Sequence, residues 1–207
     1  MSKLCIFFVS IIFLAGCGGG GGSGTSIDSG NNPVTNNELF KTKVIDGYIS
    51  GANVYIDFNW NMTQDANEPS ASEDTTNEYY YWNTSDFSSI NNWSESCARS
   101  RARIAEVPVG AIDSIRGSVN EPYELHYFPR SSSYSGFVNI TPLTSLFISY
   151  VNDSLNGAFI DDTDGCSEQA NSIGSTIISK VNEVISELNN NFNVDAETFY
   201  DDFIASG

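Results

Sequence analysis

The feature that most limits the folds open to this chain is a change in the spacing of its apolar residues near Val138. Before it, apolar and polar side chains alternate in short runs, the period of a half-buried strand; after it they recur every three to four residues, the period of a helix. Val44 to Ser50 and Ala52 to Asp57 read as two short strands with a tight connection at Gly51. Glu78 to Thr84, Ile104 to Ile112 and Tyr123 to Phe128 are further strand segments, the first dense in aromatic residues that favour strands. Beyond Val138, Thr141 caps a helix whose first turn holds Pro142, and Leu143, Leu146, Phe147, Tyr150 and Val151 share a stripe. Ser167 through Leu188 is the clearest helix, striped by Ile173, Ile177, Val181, Val184, Ile185 and Leu188 and broken by Asn189 to Asn193. Asp195 opens a last short helix carrying Phe199, Phe203 and Ile204. The pattern predicts an α+β fold, a small antiparallel β-sandwich over residues 39–140 followed by a helical segment over 141–207.

The amino terminus carries the address. Met1-Ser2-Lys3 gives a short positive start, Leu4 to Leu14 is apolar apart from Ser10, and Ala15-Gly16-Cys17 closes the run. That order is a secretory signal, too short for a comfortable membrane span. Leu14-Ala15-Gly16-Cys17 resembles the lipobox of bacterial lipoproteins. The resemblance implies that residues 1–16 are removed, that the Cys17 thiol takes a diacylglycerol, and that the new terminus is acylated. Several acyl chains together anchor stably where one would not. No aspartate stands immediately after Cys17, which by the same resemblance points to the outer rather than the inner membrane of the cell envelope. Residues 17–38, opening with Gly18 to Gly22, have the Gly, Ser and Asn composition of a flexible tether.

With Cys5 lost with the signal and Cys17 lipidated, Cys97 and Cys166 remain, to form one bridge or to stand as two separate thiols. The loop-entropy estimate for such a bridge is roughly 4 kcal/mol.

Nine Lys and Arg against 26 Asp and Glu leave a formal charge of -17. Such a chain repels phosphate, which argues against nucleic acid and against docking on anionic lipid through charge. The three arginines Arg99, Arg101 and Arg103 fall at alternate positions, where a strand would put them on one face to meet internal carboxylates. The single histidine, His126, sits between Leu125 and Tyr127 as a half-buried strand residue would. Neither a Gly-x-Ser-x-Gly elbow nor the metalloprotease helix motif occurs, so the chain is read as a non-enzyme.

One loop has the spacing of a metal site. Asp57, Asn59, Asn61, Thr63, Asp65 and Glu68 occupy the first, third, fifth, seventh, ninth and twelfth places of a 12-residue stretch, the places an EF-hand loop uses for calcium. Met62 stands at the sixth place, where a glycine permits the sharp turn, and the flanks are strands rather than helices. The competing reading is a polar turn with its acids facing water. A weaker acid cluster lies at Asp161 to Gly165. The run from Val44 to Asp57 resembles the opening of carboxypeptidase regulatory-like (transthyretin-like) β-sandwich modules, above all those of surface lipoproteins and adhesins. Related modules carry an Asp- and Asn-rich loop after this strand, so the resemblance implies a working or decayed calcium site.

Tyr79, Tyr81, Trp82 and Trp93 are candidates for stacking a sugar or peptide, against a plainer reading as core. The sequence thus predicts a lipid-anchored structural or binding module of the envelope, calcium-stabilised through the Asp57–Glu68 loop. Its partners would be the membrane, through the anchor, and another envelope protein or a polysaccharide. The other function it allows is capture of carbohydrate or polymer on exposed aromatic rings.

Overall fold

The computed structural model describes residues 38–133, 136–155 and 165–205. Cys17, the tether up to residue 37 and Asp161 to Asp164 lie outside the described residues.

Among the described residues, ten short strands, five α-helices and a 3-10 turn at Thr84–Phe87 make a mixed α+β architecture. β1 (Glu38–Val44), β4 (Ser72–Asp74), β5 (Tyr79–Asn83) and β10 (Val138–Ile140) form a four-stranded sheet in the order β10-β1-β5-β4. β3 (Asn53–Asp57), β6 (Ala102–Val107) and β9 (Tyr123–Tyr127) form a second sheet, with β6 central. A small third sheet joins β2 (Ile49–Ser50), β7 (Ile112–Asp113) and β8 (Gly117–Ser118). The pairing is antiparallel except that β1 runs parallel to β10, Thr42 opposite Val138 and Val44 opposite Ile140. The purely antiparallel sandwich expected from the alternation is corrected at that one seam, because alternation reports which face is buried and not the direction of a neighbour.

Phe40, Tyr80, Trp82, Val138 and Ile140 of the first sheet share one buried cluster with Val54, Ile56, Ala105, Val107, Leu125 and Tyr127 of the second. A second cluster lies on the other face of β6, where Ala102 meets Trp60, Phe128, Phe147, Ile177, Val181 and Phe199. The helices supply that layer: α2 (Pro142–Ser145), α3 (Ile148–Leu155), α4 (Glu168–Phe192) and α5 (Ala196–Tyr200). Thr141 caps α2 as its position before Pro142 predicts, taking the Thr144 N–H, and Ser167 caps α4 through Ala170 N. α4 runs past Leu188 to Phe192 and stops where Asn193 takes a left-handed conformation, φ 55°.

Three further expectations are corrected. Gly51 does join two short strands, but the first covers only Ile49–Ser50 rather than Val44 to Ser50, and the two do not pair. β1 ends at Val44, and β2 and β3 enter different sheets, with the Tyr80 hydroxyl bridging them by accepting from Ala52 N and donating to Ile49 O. Ile104 to Ile112 is split, because Pro108 and Gly110 (φ 92°) end β6 and turn the chain into β7. The three arginines do not share a strand: Arg99 closes the short helix α1 (Glu95–Arg99), Arg101 sits in a turn and Arg103 in β6.

Arg103 lies inside the sandwich, donating to Lys41 O and Thr42 Oγ1 and packed by Phe40 and Trp82. Arg99 meets a carboxylate side chain, that of Glu95, in a hydrogen-bonded ion pair on its own helix. Cys97 and Cys166 are disulfide-bonded, with Cα atoms 5.9 Å apart, which ties α1 to the turn before α4.

Candidate metal centre

β3 ends by placing Asp57, fully buried, at the start of the Asp- and Asn-rich loop. Its carboxylate organises the first turns: Oδ1 accepts from Trp60 N at 2.7 Å and Oδ2 from Met62 N at 2.9 Å. Trp60 and Met62 both take left-handed backbone conformations, φ 64° and 58°. Met62 therefore adopts the turn that a glycine would make at the sixth place, at the strain cost a side chain carries there. Asn59 Oδ1 accepts from Asn61 N and Asn61 Oδ1 from Thr63 N, the local turn-making bonds that Asn forms readily.

The far end folds back. Asp65 Oδ2 accepts from the amides of Asn59 (2.6 Å) and Asn61 (2.9 Å), while Glu68 Oε1 accepts from Phe58 N at 2.6 Å and Oε2 from Asp65 N at 3.1 Å. The loop thus brings together Asp57, Asn59, Asn61, Asp65 and Glu68, whereas the Thr63 side chain is exposed. Among the described residues no group of three or more His, Cys, Asp and Glu side chains converges as a metal-binding set. A cation here would draw much of its shell from amide and main-chain oxygens, ligands that suit calcium.

The electrostatics are unusual for a surface turn. Burial pushes the Asp57 carboxyl up to about 6, against the lowering effect of the N–H groups of Met62 and Trp60. Burial, then the charge of Asp57, pushes Glu68 up to about 8. Arg101, also fully buried, feels the charge of Asp57 but forms no ion pair with either carboxylate among the described residues. Its guanidinium donates to Phe58 O, Gly165 O, Ser100 Oγ and the Asn171 side chain, and burial lowers it to about 10. Trp60, with no exposed surface, donates Nε1 to Ala170 O on α4. The loop is therefore fastened from behind by Arg101 and Trp60 to the disulfide turn and to α4. Sequence reasoning missed this fastening; its signal was Gly165 and Gly174, where an added Cβ would run into Phe58 and into Arg101.

The aromatic candidates are placed otherwise than a stacking platform needs. Trp82 has no exposure and donates to Pro69 O, Tyr79 is 8% exposed, and Tyr81 and Trp93 are half-buried. Tyr79 and Tyr81 meet edge to face at 62° rather than in a plane, and Trp93 packs on Phe87. His126 is buried rather than half-buried. Comparison of the chain with known families, with curated proteins and with solved structures found no match.

Proposed function

We propose that this chain is a non-enzymatic, lipid-anchored module of the bacterial cell envelope with a structural or binding role. Its transthyretin-like sandwich is completed by a calcium ion in the loop from Asp57 to Glu68. One observation carries the reading: the loop buries two neighbouring carboxylates, Asp57 and Glu68, and the buried guanidinium behind them, that of Arg101, donates to carbonyl, hydroxyl and amide oxygens rather than to either carboxylate. Buried like charges need a counter-charge or a proton. Calcium supplies the first, and the Asn59 and Asn61 amide oxygens beside them are the neutral hard ligands it accepts. Met62 in the left-handed conformation supports the same reading, because the wrap is made without the glycine. The Leu14-Ala15-Gly16-Cys17 tetrad supports the anchor, and a disulfide is at home in an exported protein. In this reading the partners are the membrane, through the lipid, and a second envelope component, with the outer membrane as the site.

The test is the thermal melting of the protein with calcium and with chelator. At a hundredfold excess over the dissociation constant a bound ion adds about 2.7 kcal/mol, which raises the midpoint of a chain this size by about 5–10 °C. Equal midpoints in the two buffers would refute the calcium centre and leave an acidic turn.

A further inference from the structure

We propose a second binding site, for an organic cation bearing an ammonium or guanidinium group on a short apolar stem, between the ends of β6 and β9. The register of these strands sets Glu106 directly opposite Glu124. Like charges facing each other across a ladder work against the pairing. Neither carboxylate is ion-paired to a Lys or Arg among the described residues. Asn53, across from Glu106 on β3, gives it a single amide donor at 2.9 Å. Among the described residues Glu124 accepts no hydrogen bond, and its side chain is 54% exposed.

Two independent observations point to a ligand. The pair opens on a groove of about 510 Å³ whose apolar side chains are Pro108, Pro122 and Tyr123. That is apolar surface for a methylene stem beside acceptors for its charged head. The second is His126. Its Nε2 is buried without a hydrogen-bond partner, its side chain is 8% exposed, and it faces Glu124 Oε2 at 3.8 Å, too far for a direct bond. The cluster therefore holds two carboxylates short of donors, with an unpartnered ring nitrogen buried beside Glu124. An ammonium brings three N–H donors and the charge that removes the repulsion, and a guanidinium brings five in a fork.

The cationic group could belong to a free alkylamine or to a Lys or Arg side chain of a partner polypeptide, and one titration separates them. The full chain is titrated in chelating buffer with 1,5-diaminopentane, with a short neutral-capped peptide carrying one Lys, and with the uncharged isostere 1,5-pentanediol, followed by calorimetry. Both cations are expected to bind and the diol not. The peptide binding more tightly assigns the site to a polypeptide, and the diamine binding more tightly to a free amine. Glu106→Gln with Glu124→Gln is expected to weaken the cations about tenfold or more, while leaving the melting point equal or higher because the repulsion is gone. Equal binding of the diol, undiminished binding in the double variant, or heat from none of the three would each overturn the proposal. So would a divalent cation, tested without chelator, displacing the diamine through these same two carboxylates.

Discussion

Gly174 is where helix propensity and packing make opposite demands. It lies inside α4, where replacing Gly by Ala ordinarily adds about 1 kcal/mol of stability. A Cβ built on Gly174 would stand 2.9 Å from Arg101 Nη1, 3.2 Å from the Trp60 ring and 3.3 Å from Ser100 O. Neither side chain has room to retreat, since both are fully buried and Nη1 is held at 2.8 Å by Ser100 Oγ. Overpacking of this kind costs about 1–3 kcal/mol, and loosening a charged hydrogen bond about 1.5–3 kcal/mol more. Gly174→Ala is therefore expected to be destabilised by a net of about 3 kcal/mol, lowering the melting midpoint by about 6–12 °C. Ser175→Ala, at the exposed neighbouring position, should leave the midpoint within about 2 °C and serves as the control. In an Arg101→Met background the cost of the alanine should shrink, because the contested atom is gone. A Gly174→Ala protein that melts at or above its parent would refute the account of Arg101 and Trp60 as the fastening behind the loop.

The acid loop predicts a pH dependence with a definite sign. Glu68 is raised from its ordinary 4.5 to about 8 in the fold, so the folded state binds the extra proton and that stability is lost as pH rises toward 8. Between pH 6.5 and 8.5, above the ordinary value of His126, chemical denaturation in chelator should show a loss of about 2 kcal/mol; a flat profile there counts against the buried pair, and calcium should abolish the slope. Cys97→Ala with Cys166→Ala should cost about 2–4 kcal/mol by denaturant titration, since it frees the turn whose Gly165 carbonyl holds Arg101; an unchanged midpoint would contradict this. Palmitate labelling of the full chain should vanish in Cys17→Ala, and labelling that persists would remove the anchor from the reading.

What could be read from the residues was whatever depends on local period and capping. The stripe from Ile173 to Leu188 and the Thr141-Pro142 start are set by neighbours a few positions away, and the α4 stripe and the α2 start lie where that arithmetic puts them. The cysteine bookkeeping left one pair, and that pair is bridged. The parallel seam of β1 and β10 was not readable, since nothing in either segment records which strand arrives beside it. Arg101 and Arg103 were read as a charged face because alternate spacing assumes a strand; α1 consumes the first of the three positions and the turn the second. At the candidate centre the spacing gave the oxygen-bearing side chains, while the burial of Asp57 and Glu68 comes from Trp60, Arg101 and α4, distant parts of the chain that spacing does not see.

The place of β1 in its sheet bears on how the protein is made. The first described strand, β1, is interior, flanked by β5 some 40 residues later and by β10 about a hundred residues later. A polypeptide emerging amino end first would present that strand early, with one row of its amide groups waiting for β10 until nearly a hundred further residues had followed. Closure of the first sheet is thus a late event in biogenesis, and the interval before it is when an escort protein would have something to hold.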